Sequence, residues 1–165
     1  MRREDIEFQS DGLTLRGHLY IPDGAEPPYP TVVMAGGWCY VKELIQPEYA
    51  EFFVEAGIAA LTFDYRNLGD SEGEPRQHLD PWEQIYDIIN AITYASLRDD
   101  VDPNRIGILG FSAGGHLTFM AGTHFDQTTY DPVDDADQLS ARPDFMCPIY
   151  AAYLGNEYKD DRAEI

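Results

Sequence analysis

The sequence has few basic residues and no long apolar run. Lysine and arginine together number 11 against 30 aspartates and glutamates, which gives a net charge of −19. A chain this acidic repels phosphates, so neither nucleic acid nor an anionic membrane is expected as a partner. No apolar run approaches the roughly 20 residues of a membrane-spanning helix. The start, MRREDIEFQS, has no apolar segment behind its arginines, so we predict a cytoplasmic protein without a signal peptide.

Lysine and cysteine occur only twice each. The lysines are Lys42 and Lys159, and an acidic, lysine-poor surface is one way of staying soluble in high salt. A halophilic source and an ordinary acidic cytosolic protein both fit this composition. Cys39 and Cys147 lack the spacing of a metal or redox motif, so we expect reduced core or near-core residues. No metal site and no cofactor are indicated.

The rest of the composition is that of a folded protein. Hydrophobic residues make up 44% of the 165 positions and aromatic residues 13%, which is enough for one core. We therefore predict a single domain over residues 1–165, in which a polar tail, about 156–165, frays. No internal repeat and no domain boundary is visible.

Strand and helix patterns alternate along the chain. Asp11-Gly12 predicts the turn of an early hairpin, and Asp80-Pro81 predicts the start of a helix. Asp102-Pro103-Asn104 predicts a turn, and residues 128–141 an acidic loop. The buried strands are predicted at residues 31–35, 58–63, 105–110 and 145–154, and the helices at 46–56, from 80 to about 96, and at 113–123. This alternation predicts an α/β fold, with a mainly parallel sheet and helices on both faces.

The stretch GILGFSAGGH, residues 107–116, carries the strongest functional signal. A buried strand runs into Gly110-Phe111-Ser112-Ala113-Gly114, and a helix follows. This strand–turn–helix context is how a serine nucleophile is presented at the top of an α/β sheet. We therefore predict Ser112 as a catalytic nucleophile.

Acyl transfer also needs two backbone amides that face the developing oxyanion. Ala113, directly after the nucleophile, is expected to supply one. The loop Ala35-Gly36-Gly37-Trp38-Cys39 follows the first buried strand and is expected to supply the other through Trp38. A plain turn that packs Trp38 into the core is the alternative.

The chain resembles the α/β-hydrolase superfamily. Residues 6–110 resemble its dienelactone-hydrolase-type branch and related peptidases and esterases, through TVVMAGGWCYVKE, ALTFDYRNLGDSEG and DPNRIGILGFSAGG. The last third is similar to carbohydrate acetyl-esterases. The resemblance implies a mostly structural role for Asp64, Arg66, Gly69 and Ser71. Its change near Ser112 suggests a chimera, a recombinant or metagenomic fusion of two hydrolase genes.

In that superfamily an acid and then a histidine follow the serine on later loops. The resemblance therefore implies a C-terminally truncated fold that lacks the last strands. Within this chain His116 is the candidate general base, His78 is a second candidate, and the absence of any usable base is the third possibility. Asp131, Asp134, Asp135 and Asp137 could in principle orient a histidine, but no spacing singles one out, and a solvated acidic loop is the favoured interpretation.

Two functions remain open. The first is a carboxylic-ester hydrolase for short-chain acyl or acetyl esters, with a peptidase or lactone hydrolase as a variant in substrate only. The second is an impaired hydrolase fragment that acts only as an oligomerising scaffold. The predicted strand 145–154 ends the sheet with apolar residues, and unpaired apolar edges invite pairing with another chain. We therefore expect a homodimer or higher homo-oligomer through this edge.

Overall fold

The computed structural model describes residues 1–127 and 138–152. The predicted tail, 156–165, and most of the predicted acidic loop lie outside the described residues. In the described part, strands and helices alternate: β1 (Arg2–Ser10), β2 (Leu13–Ile21), β3 (Tyr29–Ala35), α1 (Gln46–Glu55), β4 (Ala59–Phe63), α2 (Pro81–Ser96), β5 (Val101–Phe111), α3 (Ala113–Thr123) and β6 (Phe145–Ile149).

One mixed sheet contains these strands, in the order β1-β2-β4-β3-β5-β6. The β1–β2 and β2–β4 pairs are antiparallel, whereas β3–β4, β3–β5 and β5–β6 are parallel. The hairpin turn is at Asp11-Gly12, where both residues have positive φ, 50° and 76°. Such φ values match the twist of the flanking strands. The prediction of an α/β fold with a mainly parallel sheet is confirmed.

Helices cover both faces of the sheet. Val32 and Met34 point from β3 into a small core with Ala50 and Val54 of α1. Val33, between them, belongs to the larger core, which α2 and α3 cover on the opposite face. A parallel strand buried on both faces reads as a continuous apolar run, because neither face needs polar residues. This explains why the stretch TVVMA predicts a central strand.

The predicted start of α2 is confirmed. The Asp80 carboxylate accepts hydrogen bonds from the amides of Trp82 (2.8 Å) and Glu83 (3.3 Å), and Pro81 occupies the first turn. These contacts satisfy amides that have no partner within the helix. The predicted end of α1 is also found: the helix ends at Glu55, and Gly57 just beyond it has φ 80°, as expected of a residue that terminates a helix.

Three predictions about local structure are wrong. Asp102-Pro103-Asn104 lies within β5, where the register with β3 jumps from Tyr29–Val101 to Thr31–Ile106. This irregularity accommodates Pro103, which has no amide hydrogen for the sheet. The last strand ends at Ile149 rather than Leu154, since Tyr150 has φ 37°. Cys39 is exposed because its loop lies outside both cores.

Candidate active site

Ser112 occupies a strained turn between β5 and α3. Its φ of 55° and ψ of −117° lie outside the regions that a serine ordinarily adopts, and the residue is exposed. Backbone strain of this kind costs about 1–3 kcal/mol and persists only where the surroundings enforce it. The geometry is the sharp strand-to-helix turn that presents a nucleophile at the carboxyl edge of an α/β sheet.

The two glycines that flank this turn are required by close backbone contacts. A Cβ atom at Gly110 would lie 2.2 Å from the Gly114 carbonyl oxygen. A Cβ atom at Gly114 would lie 2.3 Å from the Ala35 carbonyl oxygen. The first turn of α3 therefore rests directly on the end of β3, and any larger residue would displace it.

The end of β6 holds the same turn from the other side. The Ser112 amide donates a hydrogen bond to the Ile149 carbonyl (3.1 Å), and the Ala152 amide donates one to the Ser112 carbonyl (3.0 Å). The His116 amide also donates to the Ser112 carbonyl, at 3.1 Å. Hydrogen bonds with α3, with the end of β6 and with Ala152 thus hold the backbone of Ser112, and the residue itself stays exposed.

The two predicted oxyanion amides come from adjacent strands. Ala113 is the first residue of α3, where no carbonyl of the helix can accept its amide. Trp38 lies in the loop after β3, with φ 36°, and the residue is 55% exposed. Since Ala35 pairs with Gly110, both segments leave the same edge of the sheet. Trp38 does not pack into the core, so the expectation of a turn that buries this residue is wrong, and the oxyanion role of its amide stays a prediction.

A buried ionic cluster lies under this loop. Lys42 is 4% exposed and Asp64 is fully buried. The Lys42 amide donates to Asp64 Oδ1 (2.7 Å), and its Nζ donates to Asp64 Oδ2 (2.7 Å) and to Asp70 Oδ2 (2.7 Å). Burial alone would lower the pKa of Lys42, but its bonds to Asp64, Asp70 and Glu43 hold it above the ordinary value. The sequence reading missed this cluster, and the scarcity of lysine was the one signal available.

A second buried pair joins the loop after β4 to α2. Arg66 donates from its amide, Nε and Nη2 to the Asp87 carboxylate, at 2.8–3.0 Å. Desolvation raises the pKa of Asp87, and the Arg66 charge opposes this rise. Ser10 Oγ donates to Asp87 at 2.7 Å, so β1 joins the same network.

One turn earlier on α2, Gln84 Nε2 donates to the Trp38 carbonyl at 3.2 Å.

The histidines occupy four different environments. His116 is buried in the first turns of α3, where desolvation lowers its pKa and a hydrogen bond with the Ala152 backbone opposes the change. His78 is exposed, in the loop between β4 and α2. His124 packs edge-on against Trp82, with ring centroids 5.7 Å apart. His18 is buried on β2, and desolvation lowers its pKa. The role of His116 or His78 as base stays a prediction.

The predicted acidic partners, Asp131, Asp134, Asp135 and Asp137, lie outside the described residues. Over residues 1–127 and 138–152, no group of three or more His, Cys, Asp or Glu side chains is arranged to hold a metal ion. In the same ranges, no helix is both long and apolar enough to cross a membrane.

Comparison with curated proteins finds sequence relatives of this chain. Thiohydrolase aneE of Aspergillus aculeatus is 44% identical over 124 residues, which are 74% of this chain and 38% of that protein. Quorum-quenching protein AidA of Acinetobacter baumannii is 44% identical over 118 residues, 71% of this chain and 38% of that protein. The chain thus spans about two fifths of the length of these relatives.

Solved structures show the same fold. The α/β hydrolase GrgF from Penicillium sp. sh18 superposes with a TM-score of 0.70 at 35% identity, over 74% of this chain and 42% of that one. An acetyl xylan esterase from Paenibacillus sp. R4 gives a TM-score of 0.69 at 23% identity, over 91% of this chain and 49% of that one. Residues 18–147 match the family model BD-FAE. The chain belongs to the BD-FAE family and has the α/β-hydrolase fold.

Proposed function

We propose that the chain carries the nucleophile and oxyanion site of a serine carboxylic-ester hydrolase for short-chain acyl or acetyl esters. The strained, exposed Ser112 on its strand-to-helix turn is the observation that carries this proposal. The relative named a thiohydrolase supports it, because that name describes a hydrolase. The cytoplasmic location stays a prediction.

The reaction follows from these positions. Ser112 Oγ attacks the ester carbonyl while a base takes its proton, and the amides of Ala113 and Trp38 stabilise the oxyanion. The alcohol leaves with a proton, and water then hydrolyses the acyl-enzyme. In this chain His116 is the proposed base. Burial lowers its pKa, so its imidazole is neutral at pH 7, the form that accepts a proton.

Covalent labelling and turnover test this proposal together. The chain is treated with a fluorophosphonate, and p-nitrophenyl acetate hydrolysis is measured for the parent, Ser112→Ala and Ser140→Ala. Ser140 is an exposed serine outside the site and serves as the matched control. We expect labelling at Ser112 and loss of turnover in Ser112→Ala alone. Equal turnover in all three proteins, without labelling of Ser112, would exclude the enzymatic function.

A second proposal concerns association through β6. In the described part of the chain, β6 pairs with β5 on one side only. Phe145, Met146 and Ile149 on this strand are each 36–47% exposed. An apolar strand with an unpaired edge invites a second chain. We propose a homodimer or higher homo-oligomer joined here, which is also the function expected of the chain if it is only a scaffold.

Sedimentation velocity over a range of concentrations tests this association. We expect the parent to form dimers or larger species and Met146→Lys to shift them towards monomer. Leu44→Lys, which changes an exposed apolar residue next to α1, is the control. A monomeric parent at all concentrations would contradict the proposal.

A further inference from the structure

We propose that Lys42 and Gln84 are positioning residues for the oxyanion loop, which we define as residues 36–42. This inference rests on the proposed function, because it assigns the two side chains to the Trp38 amide. Neither side chain needs to touch the substrate. Each fixes the backbone that presents the amide.

The Trp38 side chain does not anchor its own backbone. The residue is 55% exposed, and its φ of 36° is one that a non-glycine residue adopts only under constraint. Whatever holds this conformation must therefore act on the loop's main chain. A backbone hydrogen bond from the Tyr40 amide to the Gly37 carbonyl (2.8 Å) tightens the turn, but it ties the loop only to itself.

Gln84 ties the loop to α2. Its side-chain amide donates to the Trp38 carbonyl at 3.2 Å, and the residue is 6% exposed. Asp87 lies three residues further along, on the same side of the helix. Because Arg66 binds Asp87 through three donors, α2 is fixed in rotation, and Gln84 is fixed with it.

Lys42 ties the other end of the loop to the sheet. Its main-chain amide and its ammonium bind the two oxygens of one carboxylate, that of Asp64, both at 2.7 Å. Asp64 directly follows β4, and its own amide donates to the Arg16 carbonyl of β2 at 2.9 Å. The loop end is thus joined to the two neighbouring strands through a fully buried side chain.

Gly69 completes this attachment. It has φ 50°, and a Cβ atom there would lie 2.1 Å from Asp64 Oδ2. Because glycine has no Cβ atom, the Asp70 amide can reach Asp64 Oδ2 at 2.9 Å while the Asp70 carboxylate binds Lys42. The stretch Asp64–Ser71 therefore serves a specific purpose beyond packing, since it builds the acceptor that receives Lys42.

Oxyanion donors act through preorganisation, so a displaced amide weakens binding of the transition state more than binding of the ester. We expect Gln84→Met and Lys42→Met to lower kcat for p-nitrophenyl acetate by roughly 10- to 100-fold, the loss typical of a misplacement near 1 Å. KM should stay within about twofold. Lys42→Arg should recover part of kcat because it keeps the cation.

Arg98→Met is the matched control. Arg98 is a half-buried cation that binds Glu4 and Asp100 at 2.8–2.9 Å, before β5 and therefore far from its carboxyl end. This variant should lose stability without losing kcat at a temperature where it is folded. If Lys42→Met does not fold, Gln84→Met decides the result, since it removes one neutral hydrogen bond and leaves no buried charge.

Amide hydrogen exchange tests the positioning without relying on activity. Gln84→Met should accelerate exchange in residues 36–42 and leave β5 unchanged. Unchanged exchange together with unchanged kcat would overturn the inference. If Ser112→Ala shows that the chain is not an esterase, the exchange result alone decides whether Gln84 and Lys42 hold this loop.

Discussion

The amide nitrogen of Ser112 lies 3.1 Å from the carbonyl oxygen of Ile149, to which it donates a hydrogen bond. Ser112 is therefore held by the last described strand of the sheet as well as by the strand that leads into it. The return bond, from the Ala152 amide to the Ser112 carbonyl at 3.0 Å, makes this attachment mutual.

The first prediction concerns that return bond. Ala152→Pro removes the amide hydrogen that Ser112 accepts, which costs about 1 kcal/mol for the bond itself. We expect slower fluorophosphonate labelling of Ser112, by roughly tenfold if the turn shifts by a fraction of an ångström. Ala152→Ser keeps the amide hydrogen and is the control. Equal labelling rates for the two variants would show that this bond does not fix the turn.

Gly114 gives a second prediction. Gly114→Ala places a methyl group 2.3 Å from the Ala35 carbonyl oxygen, so α3 has to move away from β3. We expect a loss of roughly 1–3 kcal/mol in unfolding free energy, as for other overpacked sites, together with slower labelling of Ser112. Urea unfolding and labelling kinetics measure the two effects. Gly12→Asn, in an open turn that asparagine tolerates, should change neither by a comparable amount.

The Arg66–Asp87 pair gives a third prediction. Removing one member of a buried ion pair leaves the other charge uncompensated, so Arg66→Met should lower the unfolding free energy by about 3–5 kcal/mol. Arg105→Met breaks the exposed pair with Asp102 and should lower the unfolding free energy far less, because water screens this pair. Urea unfolding of both variants compares the pairs directly. Similar losses would mean that the Arg66 pair behaves like a surface contact.

A fourth prediction concerns stability at acid pH. Burial lowers the pKa values of His18 and His116 below their ordinary value of 6.5, so the unfolded chain binds protons more readily than the folded one. Unfolding free energy should therefore fall as the pH drops from about 7.5 through 6.5 towards the lower folded pKa values. His116→Gln should flatten this slope between pH 7.5 and 5.5, measured by urea unfolding.

The control for this pH dependence is His78→Gln, because His78 is exposed. It should keep the slope of the parent. A slope that is the same in the parent and in His116→Gln would show that His116 does not contribute. Comparing variants with the parent cancels the titration of carboxylates that all of them share.

Much of the fold could be predicted because its signals are local. Asp80-Pro81 satisfies the first amides of α2, and Asp11-Gly12 supplies two positive φ angles. Each feature can therefore be predicted from the sequence without knowing which residues pack against it. The extent of β5 was not predicted, since Pro103 reads as a turn and only the pairing with β3 shows how the strand continues past it.

The same distinction between local and distant signals holds for the candidate site. The Ser112 turn is encoded by adjacent residues, so its motif is visible in the sequence. Lys42 and Asp64 are 22 positions apart in the sequence, Trp38 and Gln84 are 46 positions apart, and no local pattern connects the members of either pair. Contacts of this kind depend on how strands are ordered in the sheet, which becomes readable only from the fold.

The exposed indole of Trp38 makes the oxyanion loop visible to spectroscopy. The chain has only two tryptophans, and Trp82 is half-buried against His124. A Trp82→Phe variant would leave Trp38 as the single tryptophan, whose emission and quenching report solvent access to the loop. Loosening of the loop can then be followed in real time without a chromogenic ester.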